Sequence, residues 1–211
     1  MHKRRLLLAA AAAVALPALA STRRALAPMT EGPFYPPAAW RARWSDWDAD
    51  LTRVQQGQRT LVARGQALGL QLVVTDTNER VLDGAEVEIW QCDAMAQYRH
   101  PSVAQEPGRF DEGFQGYGAA KTGRDGALAF RTIRPVAYPG RTPHIHVTVR
   151  HASFGEVTSQ LFVAGDPGNA RDFLWNRLSA ADRDALAMRL EPAAAGSGLA
   201  WVARHALVVP G

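Results

Sequence analysis

His144 and His146 stand two residues apart in Arg141-Thr-Pro-His144-Ile-His146, with Tyr138 and Tyr98 upstream. In an extended strand alternate side chains share a face, so the two imidazoles point one way while Ile145, Val147 and Val149 point the other. Burying the apolar face fixes the strand and aims both histidines at a cleft, where a metal can be held with little reorganisation. An H-x-H pair alone is a weak signal, because paired histidines on a solvated strand face are often only surface residues. The surrounding residue types narrow the chemistry. No Asp or Glu stands at the spacing of a two-His, one-carboxylate iron(II) site, and a single cysteine, Cys92, cannot build a thiolate zinc site. Tyr138 does stand close, and its phenol, with a free pKa of about 10, ionises at neutral pH only beside a strongly acidic metal. Fe(III) is the biological metal that does this most readily. A copper or zinc enzyme built on H-x-H, and a β-sandwich binding or structural module without turnover, stay open on these residues.

The elements that would position this set are mostly strands. Leu68, Leu70, Leu72 and Val74 alternate with Gly69, Gln71 and Val73, and Asp76-Thr-Asn-Glu79 then makes a turn. Further strands are expected at Ala85 to Cys92, Leu128 to Ile133, His144 to Arg150, Thr158 to Val163 and Trp201 to Val209. A glycine-rich excursion runs from Gly108 to Gly126. Ser179 can cap one late, short helix reaching about Leu190, ended by Glu191-Pro192. Many short strands joined by Gly/Pro turns indicate a mostly β, single-domain β-sandwich with long loops. Residues 21–48, rich in Pro and Trp and without a sustained period, read as an extended N-terminal arm over a β-sandwich body at 49–211. Cys92, inside a strand, reads as a small buried hydrophobe.

Residues 1–20 have the layout of a signal peptide: a positive start at Lys3-Arg4-Arg5, an apolar stretch from Leu6 to Leu16, and Ala18-Leu19-Ala20 before Ser21. The expectation is an exported protein, periplasmic or secreted, by the general or the twin-arginine route. The apolar stretch is too short to span a bilayer, so no stable membrane insertion of the mature chain is expected. Of the formal net charge of +4, three basic residues lie in this leader, and the remaining 21 basic residues face 20 acidic ones. That balance, with dispersed arginines and no recognition motif, argues against a nucleic-acid partner.

Five segments in order carry a resemblance. They are Glu31-Gly-Pro-Phe-Tyr-Pro36; Asp83-Gly-Ala-Glu-Val-Glu-Ile-Trp-Gln-Cys-Asp93 running into Tyr98-Arg-His100; Asp125-Gly-Ala-Leu-Ala-Phe-Arg-Thr-Ile-Arg-Pro135; Tyr138-Pro-Gly-Arg-Thr-Pro-His-Ile-His146; and Gln160-Leu-Phe-Val-Ala-Gly-Asp166. Together, over about Glu31 to Asp172, the chain resembles the intradiol ring-cleavage dioxygenases, the family of catechol 1,2-dioxygenase and protocatechuate 3,4-dioxygenase. The resemblance implies a mononuclear Fe(III) held by Tyr98, Tyr138, His144 and His146, with water or hydroxide as fifth ligand. It implies that Tyr138 leaves when substrate binds while Tyr98 stays, that Arg141 stabilises negative charge on the ring, and that Gln160 sits behind the site. The implied substrates are a small aromatic diol and O2, and the implied product is a cis,cis-muconate type diacid. Two phenolates and one hydroxide would neutralise Fe(III), which suits a low-dielectric cleft.

Phe34 and Tyr35 in the arm are candidate substrate-binding residues. Arg99 and Arg134 stand beside ligand segments, and either one facing the cleft would favour a carboxylated catechol such as protocatechuate over catechol. Two departures bear on the site. Ala96 stands where the family often has glycine, a minor change if the backbone there is not in a glycine-only conformation. Only Pro139 and Gly140 separate Tyr138 from Arg141, a short link that leaves that side of the site more open. The exposed edges of a sandwich leave homo-oligomerisation open.

Overall fold

The computed structural model describes residues 23–43, 46–103 and 108–211; the leader read at 1–20 lies outside the described residues. In chain order the strands are β1 (Arg53–Gln56), β2 (Arg59–Val62), β3 (Ala67–Asp76), β4 (Glu86–Trp90), β5 (Tyr117–Lys121), β6 (Ala127–Ile133), β7 (His144–His151), β8 (Gly155–Val163), β9 (Ala187–Met188), β10 (Glu191–Pro192) and β11 (Trp201–Val209). Helix α1 spans Ala38–Arg41 and α2 spans Ala180–Leu186. One sheet has the order β10-β11-β3-β6, a second has the order β5-β4-β7-β8-β9, and β1 and β2 form a separate hairpin. The fold is mostly β and sandwich-like, as the alternation along the chain requires.

The core lies where the inner faces of the two sheets meet. Leu68, Leu70, Leu72 and Val74 of β3, with Phe130 and Leu207 beside them, pack in one cluster with Val87, Ile89, Ile145, Val147, Val149 and Leu161. All are at most 1% exposed. Burying each such side chain contributes about 1.5–3 kcal/mol, and shifting any strand by one residue would turn its apolar set outward. The pleat therefore fixes what the other face of the five-stranded sheet carries: Glu86, Glu88 and Trp90 from β4, and His144, His146, Thr148 and Arg150 from β7.

Several elements differ from the sequence expectation, the unforeseen β1–β2 hairpin among them. Helix α2 starts where expected, with the Ser179 hydroxyl accepting the Asp182 amide at 3.1 Å, but it ends at Leu186 rather than Leu190. Ala187 and Met188 leave it to pair with Phe162 and Val163, which buries Met188 completely; tertiary pairing overrides helix propensity here. The glycine-rich excursion contains β5, hidden because Tyr-Gly-Ala-Ala-Lys lacks both alternation and β-branched residues. Its Gly118 is required, since a Cβ there would fall 2.5 Å from Leu51 Cδ1. The arm runs extended, with the Leu26 amide on the Val208 carbonyl and the Met29 amide on the Thr158 carbonyl, each 2.8 Å. It then makes the single turn of α1, which no sequence period announces.

The turn that delivers Tyr98 holds Ala96 in a left-handed but not glycine-only conformation. The Asp93 carboxylate accepts the Met95 amide at 2.8 Å and the Gln97 amide at 2.9 Å, which closes the loop tightly after β4. Ala96 inside it has φ +62°, so the backbone is left-handed and alanine is strained by roughly 1–2 kcal/mol. Glycine would remove that strain but costs more entropy on folding. Ala96→Gly is therefore expected to stabilise the fold by about 0.5–1 kcal/mol, a rise of roughly 2 °C in Tm. An unchanged or lower Tm in calorimetry would show that the strain is absent.

Candidate functional site

Antiparallel register places Tyr117, Trp90, His146 and Gln160 side by side across β5, β4, β7 and β8. His144 lies one pleat further along β7. This outer face is covered rather than open, and His144 and His146 are each only 2% exposed. The arm supplies the cover. Phe34 stacks on Tyr98 with ring centres 4.5 Å apart and planes 17° from parallel. Gly32, at φ +75°, passes so close that a Cβ there would lie 3.6 Å from His146 Cε1.

Three donor atoms converge under that cover. The Tyr98 hydroxyl is 3.1 Å from His146 Nε2 and 3.4 Å from His144 Nε2, and the two Nε2 atoms are 3.3 Å apart. Tyr138 closes another side, its ring 5.7 Å from that of Tyr98 and 5.6 Å from that of His144. Tyr138 and Arg141 are joined by reciprocal backbone hydrogen bonds across Pro139-Gly140. With Gly140 at φ +83°, this is the proline-then-glycine signature of a type II turn. The two-residue link thus puts the phenol and the guanidinium on one short frame.

Arg141 is held from both sides. Its Nε donates to Asp172 at 2.8 Å and its Nη2 donates to the Gln160 carbonyl oxygen. Asp172 also accepts the Thr142 and Trp175 amides. Burial alone would raise the Asp172 pKa, but those amides and the Arg141 guanidinium outweigh it and hold the carboxyl below its ordinary value. A cleft of about 360 Å³ opens at this turn, lined by Tyr138, Gly140, Arg141, Thr142, Arg171 and Asp172 among others. A wider groove of about 730 Å³ lies on the outer face of the other sheet, beside Val73, Ala129 and His205, and carries none of these groups.

The protonation states follow from burial. Tyr98 is pushed well above the ordinary phenol value by burial first and by Tyr138 next. Tyr138 is also raised by burial, although Arg141 pulls the other way. His144 is lowered to about 4 by burial and then by Arg141, and His146 is lowered well below its ordinary value by burial and then by His144. The imidazoles are therefore neutral and ready to donate, whereas the phenols stay protonated unless a strongly acidic cation displaces their protons. Ligands about 2.0–2.2 Å from one ion, at right-angled to tetrahedral positions, sit roughly 2.8–3.6 Å apart, and the three measured separations fall inside that range. Among the described residues no three His, Cys, Asp or Glu side chains converge, so tyrosines must complete any metal site here. The donor set fits a trivalent, oxygen-seeking metal.

The remaining candidates sit further out. The Tyr35 hydroxyl donates to Glu88 at 2.6 Å and accepts from Arg150 at 3.2 Å, so it is committed to a charge cluster one layer behind the donors. Arg134 lies over the Trp201 ring at 5.2 Å, on the four-stranded sheet. Arg99 donates to the Phe114 carbonyl at 3.5 Å and is lowered to about 10 by burial, partly offset by Asp46 and Glu112. The Cys92 thiol, pushed up to about 12 by burial and then by Asp93, is inert. Sequence reasoning gave no role to Trp90, which stacks on His146, or to Thr142 and Asp172, which fix His144 and Arg141. Only strand alternation hinted at Trp90, by putting it on the face opposite Ile89.

Comparison with known proteins agrees with this geometry. A family model described as Dioxygenase matches residues 30–205. The protocatechuate 3,4-dioxygenase beta chain of Burkholderia cepacia is 34% identical over 154 residues, covering 67% of this chain and 63% of that one. Catechol 1,2-dioxygenase 1 of Acinetobacter lwoffii is 30% identical over 133 residues, 54% of this chain and 39% of that one. The chain thus spans less than two thirds of the length of these relatives. Among solved structures, the dioxygenase domain of a dioxygenase and carbohydrate-binding protein fusion from Streptomyces sp. SirexAA-E aligns with TM-score 0.64 and 26% identity, over 89% of this chain and 99% of that one. An intradiol ring-cleavage dioxygenase from Tetranychus urticae shares the fold at TM-score 0.64 and 21% identity, over 89% and 95%.

Buried neutral histidines make a prediction for the metal-free protein. His144 (ordinary value 6.5, lowered to about 4), His146 and His205 all have depressed values in the fold. Between the two values the unfolded chain binds protons that the folded chain refuses, so stability that is complete above about 6.5 declines as pH falls toward about 4. Tm should drop steadily across that interval, and His144→Gln should make the slope shallower. A flat profile would mean that the folded site accepts the protons.

Proposed function

The chain belongs to the intradiol ring-cleavage dioxygenase family, and on that premise we propose an Fe(III)-dependent enzyme that opens a catechol-type diol between its two hydroxyl-bearing carbons. With O2 as co-substrate the product is a cis,cis-muconate type diacid. The observation that carries the reading is the convergence of the Tyr98 hydroxyl and the two imidazole Nε2 atoms within 3.1–3.4 Å of one another, with Tyr138 beside them. Tyr98, Tyr138, His144 and His146 would hold the iron, which when bound supplies the acidity that ionises the phenols and the diol and draws electron density from the ring so that it reacts with O2.

The chain's own residues account for the rest. Tyr98 is 5% exposed and pinned under Phe34, so it is the phenol that stays. Tyr138 is half-buried at a turn on the rim of the cleft, and as the phenolate it would become on iron binding, its oxygen could take up one diol proton. Arg141, neutralised by Asp172 at rest, keeps a guanidinium fixed beside Tyr138, where negative charge develops on the ring. Gln160 holds that guanidinium from behind through its carbonyl oxygen. The arm keeps bulk water from the histidines and strengthens each of these interactions. We further propose, from the leader at 1–20, that the protein acts outside the cytoplasm on catechols found there.

Iron loading should give a single iron per chain and a red to burgundy protein from tyrosinate-to-metal charge transfer. Tyr98→Phe and Tyr138→Phe should each weaken iron retention and shift or abolish the band. Catechol and O2 should yield the intradiol diacid, and Arg141→Gln should lower kcat by about 10²–10³ while iron content is kept. A colourless protein that retains copper or zinc in both tyrosine variants would overturn the assignment.

A further inference from the structure

The two histidines of the candidate centre are held in different ways. His144 Nδ1 lies 2.6 Å from the Thr142 carbonyl, and Thr142 is itself fixed by its amide on Asp172 and its hydroxyl on Asn169. This is the ordinary arrangement, in which a ligating histidine points one nitrogen at the metal and donates its other N–H to a fixed acceptor. His146 lacks it. Its Nε2 faces the donor cluster, so its proton belongs on Nδ1, yet Nδ1 is buried with no hydrogen-bond partner among the described residues. A buried N–H left without an acceptor is costly, and it leaves the ring orientation unspecified by polar contacts.

The Trp90 ring takes over that task. Its indole lies parallel to the His146 imidazole, with centres 4.7 Å apart and planes 10° from parallel, and it is fully buried. Tyr35 meets the indole in a T-shaped contact with ring centres 4.9 Å apart, and its hydroxyl is anchored on Glu88. Trp90 Nε1 likewise has no partner among the described residues, so the indole acts here through its faces and not as a donor. Register makes the pairing unavoidable, because Trp90 and His146 are directly opposed on β4 and β7. A metal-bound imidazole gains positive character, which an indole face favours.

We propose that Trp90 is a positioning residue that aims His146 at the metal by stacking, in place of the hydrogen bond that His146 lacks. The proposal rests on the iron-centre reading. It predicts an aromatic requirement at a position that touches neither substrate nor metal.

The test measures iron affinity by chelator competition together with the position of the charge-transfer band, neither of which needs turnover. Trp90→Leu should lower affinity by about 10–100-fold and displace the band, while Trp90→Phe, which keeps an aromatic face, should recover most of both. Phe130→Leu, a comparable core truncation in the opposite sheet, should leave both unchanged. If Trp90→Leu does not fold, Trp90→Met fills the space without a ring and carries the same expectation. Wild-type affinity and band in a folded Trp90→Leu or Trp90→Met protein would overturn the proposal, as would an equal loss in Phe130→Leu. Wild-type protein that takes up no iron would instead sink the iron reading, and this inference with it.

Discussion

The register of β7 between β4 and β8 is the constraint on which everything else depends. It is set on the inner face, where Ile145, Val147 and Val149 are each completely buried. A one-residue slip would carry those three outward and the histidines into the core, at a cost far larger than any interaction at the site itself. Once that register is fixed, Trp90 and Gln160 have no choice but to flank His146. The hydrophobic core thereby specifies polar geometry on the far side of the same strand.

Burial sets the electrostatics in turn. Four titratable donors share a volume with little water, and burial drives each toward its neutral form. For the imidazoles this is the ligating form; for the phenols it is not. A divalent ion would find two good ligands and two reluctant ones, whereas a trivalent ion can displace both phenolic protons and leave the site close to neutral with one hydroxide. Arg141 does not upset this balance, because Asp172 pairs with it at 2.8 Å and compensates its charge. The site is thus matched in charge as well as in donor type.

How much of this the sequence revealed depended on whether a feature is local. Strands with strict alternation, such as Leu68 to Val74, and the cap at Ser179 could be read directly; the two histidines and Tyr138 stood out by type and spacing, whereas Tyr98 and Arg141 took their roles from the family resemblance. What depends on pairing could not be read. β5 is a strand because β4 offers it an edge; α2 stops early because β8 offers one to Ala187 and Met188; and Trp90 matters because register sets it against His146. Ala96 shows the same limit at the backbone, since alanine gives no sign that its φ is positive. Tyr35 and Phe34 were indistinguishable in sequence, yet one is tied to Glu88 and the other stacks on Tyr98.

Glu88 explains why a mostly coil arm can serve as a wall of the site. A carboxylate this buried would ordinarily be raised, but hydrogen bonds from Tyr117 and Tyr35 and the Arg150 guanidinium outweigh burial and hold it ionised, below its ordinary value. Arg41, from α1, bonds both Glu88 and Tyr117, at 3.1 and 3.0 Å. Two arm residues, Tyr35 and Arg41, thus grip one buried charge on the sheet. Removing either leaves that charge under-compensated, which is far worse than losing an exposed ion pair. The arm has little regular structure of its own, so its position over Tyr98 and His146 depends on this grip and on the two backbone contacts near Leu26 and Met29. Enclosure of the donor cluster is therefore a property of charge pairing outside it, and a change at Glu88 would reach the histidines through Tyr35 and Trp90 without touching either of them directly.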